Sequence, residues 1–139
     1  MSRSEVSSKS RMIGRKLLNE IEWHNYKTIS VFEPIKHLNE VEITGVISRL
    51  KSQSKDVHIL SSDRGSAVPK LQFDLIIVPC LAFDEDNYRL GWGGGFYDKF
   101  LAGQPRAFKV GLCFQNGFIE QGLPRESHDI PLDKIITEI

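Results

Sequence analysis

The sequence has little cysteine and no excess of charge of either sign. Cys80 and Cys113 are its only cysteines, and they lack the spacing of metal ligands. Both lie among apolar residues, so we expect buried free thiols in a reducing compartment and neither a disulfide scaffold nor a zinc site. Lysine and arginine together number 18, as do aspartate and glutamate. This balance argues against a general nucleic-acid-binding protein.

The sequence also lacks an apolar run long enough to cross a membrane. Its longest run, LIIVPCLAF (75–83), is far too short to span a bilayer and contains Pro79. The amino-terminal MSRSEVSSKSR is polar and lacks the apolar core of a signal peptide. We therefore expect a cytoplasmic protein with no membrane partner. The 139 residues show neither repeat nor linker, which predicts one domain over residues 1–139.

Apolar residues occur in alternating helix and strand patterns. Helices are predicted over about 4–22 and 41–53 and from 96 onward, and strands at 28–32, 57–60, 73–79, 108–114 and 134–139. In the second helix Val41, Val46, Ile47 and Leu50 would share one face. The strand at 73–79 is continuously apolar, as in a parallel sheet covered on both sides. The pattern predicts a three-layer α/β/α fold with a mostly parallel sheet.

The stretch NYRLGWGGGFYDKF (87–100) contains four glycines between the strongest predicted strand and a predicted helix. Glycine permits positive φ and lets a ligand approach the backbone amides, which can then hold an anion. Phe96 and Tyr97 follow the last glycine, which excludes a P-loop, and Phe96 also occupies the third glycine position of a dinucleotide fingerprint. We favour an anion cradle; the alternative is a glycine-rich turn that only connects two elements.

Three stretches of the sequence closely resemble the 5-formyltetrahydrofolate cyclo-ligase family, also called methenyltetrahydrofolate synthetases. They are DLIIVPCLAFDEDNYRLGWGGGFYDKFL (74–101), KVGLCF (109–114) and LPRESHDIPLDKIITE (123–138). The resemblance implies a NagB/RpiA/CoA-transferase-like α/β core and an enzyme that uses ATP and Mg²⁺. In the family's reaction, the formyl oxygen of 5-formyltetrahydrofolate accepts the γ-phosphoryl group. N10 then attacks the activated carbon and phosphate leaves, giving 5,10-methenyltetrahydrofolate.

The resemblance also implies a set of site residues. The nucleotide-phosphate loop would comprise Arg89, Leu90, Gly91, Trp92, Gly93, Gly94, Gly95, Phe96 and Tyr97, with catalytic roles for Arg89 and Tyr97. The reduced folate would contact Glu40, Trp92, Gly93, Gly94, Gly95 and Phe96, and Mg²⁺ would be held by Asp98 and Asp129.

Each of these roles has a structural alternative. Asp98 lies in a first helical turn, where an acid is favourable without any metal. Trp92 and Tyr97 are equally well explained as packing aromatics. Glu33 and the acidic turn at 84–86 are expected to be solvated surface.

Two departures from the family pattern limit the assignment. Family members usually carry a further amino-terminal helix whose cations grip ATP, and we expect that helix to be absent here. Arg11 and Arg15 share a helix face and could substitute, but a solvated face is the preferred interpretation. The segment at 61–72, expected to be a turn over 61–70, is also shorter than the family's equivalent, which helps to wall the pterin pocket.

Three functions therefore compete. The first is a compact cyclo-ligase acting on a reduced folate, as a monomer or homodimer. The second is a non-catalytic phospholigand-binding protein, and the third is an ATP-using enzyme acting on a smaller formamide-like substrate. Fold alone does not choose among them, because function depends on the site. We favour the cyclo-ligase.

Overall fold

The computed structural model has a parallel five-stranded sheet at its centre, in which the strands Asp56–Leu60, Thr28–Phe32, Leu75–Pro79, Phe108–Leu112 and Lys134–Ile136 lie side by side in that order. The structure describes residues 1–35, 38–61, 67–91 and 95–139. The sheet strands are β1 (Thr28–Phe32), β2 (Asp56–Leu60), β3 (Leu75–Pro79), β6 (Phe108–Leu112) and β7 (Lys134–Ile136), and β4 (Ala82–Phe83) and β5 (Arg89–Leu90) form an antiparallel pair. The helices are α1 (Arg3–Glu20), α2 (Thr44–Ser52) and α3 (Phe96–Ala102), with 3₁₀ turns at Trp23–Asn25 and Gln115–Gly117.

Helix α1 begins at a capping box. The Ser2 hydroxyl accepts a hydrogen bond from the Glu5 amide at 3.1 Å, and the Glu5 carboxylate accepts one from the Ser2 amide at 3.3 Å. Val6, Ile13 and Leu17 then recur on one face and are buried. The periodicity that predicted a helix from about residue 4 to residue 22 is therefore confirmed.

The two faces of β3 belong to two different apolar cores. Leu75 and Ile77 pack in the core beneath α1 and α2, whereas Ile76 and Val78 pack in the core beneath α3. Successive side chains on a strand point to opposite faces, so a continuously apolar strand fits a sheet that is covered on both sides. The predicted α/β class with a mostly parallel sheet is confirmed.

Several predicted boundaries were wrong by a few residues. Helix α2 begins at Thr44, because Ile43 has ψ 17° and φ −126°, outside the helical region. Val41 therefore precedes the helix instead of lying on its face, although it is buried with Ile43. The strands at 73–79, 108–114 and 134–139 are shorter than predicted, and β4 and β5 were not predicted at all. In the expected turn at 61–70, residues 62–66 lie outside the described residues.

The carboxyl ends of the parallel strands meet at one edge of the sheet, which positions the candidate site. After β3 ends at Pro79, the β4–β5 pair carries the chain over this edge and leads to the start of α3. The segment between β6 and β7 also belongs to this region, since Ile119 donates to the carbonyl of Phe83 at 2.8 Å. Ligand sites of open α/β sheets lie at this edge.

Candidate active site

Arg89 is placed at the carboxyl end of β3 by the β4–β5 pair. Its register partner is Phe83, and its Nε donates to the carbonyl oxygen of Pro79 at 3.1 Å. The guanidinium carbon lies 5.1 Å from the centroid of the Tyr97 ring, close enough for a cation–π contact. A Cβ added to Gly91 would lie 2.5 Å from Arg89 Nη2. The absence of a side chain at Gly91 therefore leaves space for the guanidinium. The cation is thereby fixed against the start of α3.

Gly95 directly precedes α3, and its φ of 68° is in the left-handed region that favours glycine. Phe96 and Tyr97 follow and are buried, with their ring centroids 5.2 Å apart. Both rings also pack on Phe100, so the aromatic pair anchors the start of the helix in the core. These contacts favour packing as a role for Tyr97, and its assigned catalytic role stays a prediction.

The centre of the glycine loop lies outside the described residues. Trp92, Gly93 and Gly94 belong to this part, so the amide cradle stays a prediction. On either side of it, Leu90 is exposed and Gly91 is half-buried.

Asp98 and Asp129 are brought within electrostatic range of each other. Burial is the main cause that raises the pKa of Asp98; Arg89 opposes it, and Asp129 raises it further. The Asp98 carboxylate accepts no hydrogen bond from any residue the structure describes, whereas Asp129 Oδ2 accepts one from the Glu126 amide at 2.8 Å. Half-buried carboxylates that repel each other are stabilised by a cation between them.

The donor set around Asp98 and Asp129 fits a hard divalent cation. Within the described ranges, no three His, Cys, Asp or Glu side chains gather as a complete metal site. Mg²⁺ is commonly bound through one or two carboxylates and takes its other ligands from phosphate oxygens and water. The two aspartates would therefore hold Mg²⁺ only together with a phosphate-bearing ligand.

Glu40 lies in the segment between β1 and α2. It is 4% exposed, and its Oε1 accepts a hydrogen bond from the Ile35 amide at 2.8 Å. Burial raises the pKa of Cys80 to about 11, and the charge of Glu40 adds to that rise, which places this carboxylate near the end of β3. Glu40 also lines a cavity of about 170 Å³ together with Arg3 and Glu42.

Asp84 was wrongly predicted to be solvated surface. It is 0% exposed and accepts hydrogen bonds from the amides of Asp86, Tyr88 and Leu123 at 3.0, 3.2 and 3.0 Å. Arg125 Nη2 donates to its Oδ2 at 2.9 Å. Asp84 therefore joins the β4–β5 pair, which carries Arg89, to the segment that carries Asp129.

The sequence offered only a weak signal for this role. Asp84 follows two apolar residues of β4, a position from which a side chain can still turn inward, but its neighbours Glu85 and Asp86 are exposed acids.

Fold and site together define a parallel α/β protein with a cation and two carboxylates at the carboxyl edge of its sheet. The model of the 5-formyltetrahydrofolate cyclo-ligase family matches residues 61–138, and the chain belongs to that family.

Two curated relatives show how far the similarity extends. The chain is 31% identical over 126 residues to 5-formyltetrahydrofolate cyclo-ligase of Mycoplasma pneumoniae, covering 81% of this chain and 73% of the relative. It is 37% identical over 94 residues to the enzyme of that name from Escherichia coli K12, covering 66% of this chain and 48% of the relative. The chain thus spans about half the length of the Escherichia coli protein that it matches.

Solved structures show the same fold. A 5,10-methenyltetrahydrofolate synthetase from Mycoplasma pneumoniae superposes with a TM-score of 0.81 and 27% identity, over 100% of this chain and 90% of that chain. The synthetase from Aquifex aeolicus gives a TM-score of 0.78 and 26% identity, over 99% and 82% of the two chains.

Among the described residues, no helix is both long and apolar enough to pass through a membrane.

Proposed function

We propose that this protein converts 5-formyltetrahydrofolate to 5,10-methenyltetrahydrofolate with ATP and Mg²⁺. Family membership supports the reaction class. The observation that carries the proposal to this chain is the meeting of Arg89, Asp98 and Asp129 at one sheet edge. Asp98 and Asp129 come from elements 31 positions apart in the sequence, and the fold is what brings them together.

The chain's own residues would act mainly by positioning and charge. Arg89, whose direction is fixed by the Pro79 carbonyl and the Tyr97 ring, would lie against the phosphates and stabilise the charge that develops on them. The backbone amides of Gly93, Gly94 and Gly95 would cradle the same phosphates. ATP would supply the phosphoryl group that makes the formyl oxygen a leaving group.

Asp98 and Asp129 would hold Mg²⁺, which supplies charge neutralisation between the phosphate oxygens. Burial is the main cause that raises the pKa of Asp98, and repulsion from Asp129 raises it further. A bound cation would remove that repulsion. The attraction of both carboxylates to one cation would explain why they lie close together at a half-buried position.

Glu40 would orient the reduced folate. It is buried, its Oε1 accepts a hydrogen bond from the Ile35 amide, and it borders a cavity of about 170 Å³. A fixed acceptor of this kind suits the N–H donors of a pterin ring. Trp92 and Phe96 would complete the contact with the ring.

The cytoplasmic location is part of the same proposal. Cys80 and Cys113 are both free and buried, which agrees with the predicted state of the thiols and with a reducing compartment. Assembly as a monomer or homodimer stays open to measurement.

The test is the absorbance rise of methenyltetrahydrofolate when purified protein meets 5-formyltetrahydrofolate, ATP and Mg²⁺. We expect a rise that requires all three. Substituting Asp98→Asn is expected to lower kcat at least about 100-fold, because it removes a ligand of the Mg²⁺ that would neutralise charge on the phosphates in the transition state. Lys99→Gln changes an exposed neighbour on the same helix and serves as the matched control.

Each outcome of this assay has a definite reading. A full rise without ATP or Mg²⁺ would contradict the proposed reaction. Equal losses in the two variants would remove Asp98 as a metal ligand. Binding of ATP without turnover would favour the phospholigand-binding alternative.

A further inference from the structure

A cleft lies away from the site above, between α1 and the start of α2. Its volume is about 440 Å³, within the range of small-molecule sites. Small residues shape it: Gly14 on α1 approaches Val46 so closely that an added Cβ would meet Val46 Cγ2 at 3.2 Å, and Gly45 has open space around its Cα. The helices thus converge at Gly14 and leave room beside it.

Two arginines on α1 line this cleft. Arg11 donates to the hydroxyl of Ser7 at 3.0 Å, one turn earlier, while Arg15 makes no hydrogen bond or ion pair with any residue that the structure describes. Glu42 is also a lining residue, so the residues around the cleft carry two positive charges and one negative charge. A net positive cleft with donor-rich side chains selects an anionic ligand.

The cleft adjoins the Glu40 cavity. Glu42 lines both, and Val6 of the Glu40 cavity lies one position before Ser7 of the cleft on α1. Val6 and Arg15 are nine residues apart on the helix, which is about 13 Å along its axis. A ligand whose ring sits at Glu40 would reach the arginines only with its far end.

The phosphates of ATP do not suit this position. Helices α1 and α2 cover one face of the sheet, while α3, which carries Asp98, covers the other. The sheet therefore separates the arginines from the helix that carries Asp98.

We propose that Arg11 and Arg15 bind the carboxylates at the glutamate end of a reduced folate whose pterin ring lies at Glu40. This inference rests on the proposed function for the identity of the ligand. A reduced folate is long and carries its carboxylates opposite the pterin ring, and so matches both the adjacency of the two cavities and the positive charge of the cleft. The sequence favoured a solvated helix face for Arg11 and Arg15, and here the two side chains would bind a ligand.

The experiment compares 5-formyltetrahydrofolate with 5-formyltetrahydropteroate, which lacks the glutamate. The protein is wild type or the double variant Arg11→Gln/Arg15→Gln, and the control variant Arg49→Gln removes an exposed arginine of α2 that does not line the cleft. Equilibrium binding and steady-state kinetics are both measured. We expect the double variant to raise Kd and KM for the folate about tenfold, as two exposed ion pairs would, with kcat unchanged. Raised salt should weaken wild-type binding of the folate in the same direction.

Affinity for the pteroate should be the same in all three proteins. Equal effects on the two ligands, or none on the folate, would overturn the cleft assignment while leaving the reaction itself intact. Wild-type protein that binds the folate more tightly than the pteroate, through the two arginines, but forms no methenyl product would support the cleft and overturn the proposed reaction. Failure of the wild type to bind either ligand would overturn both.

Discussion

Asp84 shows how one side chain can connect two parts of a site. Its carboxylate is buried and accepts four hydrogen bonds, two from the turn between β4 and β5 and two from the segment at 123–125. Arg125, the cation that binds Asp84, also donates from Nη2 to Asp86 Oδ2 at 2.7 Å. Its guanidinium carbon lies 4.1 Å from the centroid of the Tyr88 ring. The positions of Arg89 and Asp129 relative to each other therefore depend on this contact.

Substituting Asp84→Asn is expected to destabilise the protein by about 2–3 kcal/mol, because the amide nitrogen cannot accept and leaves buried donors unsatisfied. Asp86→Asn alters the exposed partner of the same arginine and should change stability by less than about 1 kcal/mol. Urea unfolding at neutral pH measures both. Equal effects would show that the buried carboxylate has no special role.

The free energy of unfolding at acidic pH gives a second test of the role of Asp84. Burial alone would raise its pKa, but hydrogen bonds from the Leu123 amide and from Arg125 hold the pKa below the ordinary value of 3.8. The stabilisation by Asp84 is therefore fully present above about pH 4 and is lost as pH falls through the lowered folded-state pKa. In urea unfolding between pH 7 and pH 3, the difference between wild type and Asp84→Asn should shrink below pH 4. A constant difference would contradict this assignment.

The β4–β5 pair is a short element held almost entirely by its neighbours. Phe83 forms a parallel bridge with Phe118, and their ring centroids lie 5.4 Å apart. The 3₁₀ turn at Gln115–Gly117 packs directly beneath, where a Cβ added to Gly117 would meet the Leu81 carbonyl oxygen at 2.6 Å and Cys113 Sγ at 2.8 Å. Since the first of these atoms is backbone, the turn cannot accept a side chain without displacing β4.

Gly117→Ala is therefore expected to cost about 1–3 kcal/mol in the free energy of unfolding, as overpacking does. If the proposed reaction holds, the displacement of β4 should also lower kcat, because Arg89 lies on the paired strand. Gly45→Ala is the matched control: nothing lies within 4 Å of its added Cβ, and alanine in a helix stabilises by up to about 1 kcal/mol. Chemical denaturation tests the pair, and the methenyltetrahydrofolate assay tests Gly117→Ala. A neutral Gly117→Ala would show that the turn has more room than the contacts indicate.

At the scale of the whole molecule, the site is assembled from segments that only the fold brings together. Glu40 follows β1, Arg89 follows β3, and Asp129 lies between β6 and β7. A ligand that bridges these segments would stabilise the native state, because the unfolded chain cannot offer the same arrangement.

Mg²⁺ and ATP together should therefore raise the free energy of unfolding, by about 2.7 kcal/mol at a concentration one hundred times Kd. Each added alone should do less, since the two aspartates would complete the coordination of Mg²⁺ only with phosphate oxygens. Thermal or urea unfolding with and without the ligands measures this independently of turnover. Asp98→Asn should abolish the contribution of Mg²⁺, and a full contribution in that variant would exclude Asp98 from the metal site.

The sequence by itself determined the local structure and the fold class. The apolar spacing of α1, the continuous apolar run of β3 and the β-branched run of β1 are local signals, and each element formed close to where it was predicted. The stretches at 74–101 and 123–138 likewise indicated the family without any knowledge of the fold.

Only the tertiary structure decided which polar residues are buried and which charges meet. Asp84 and Asp86 belong to one acidic turn, yet Asp84 is enclosed, because its partners Leu123 and Arg125 arrive from 39 and 41 positions away. The cleft of Arg11 and Arg15 likewise needs Gly14 of α1 to meet Val46 of α2. Burial and electrostatic pairing depend on distances in space, which local spacing along the chain does not specify.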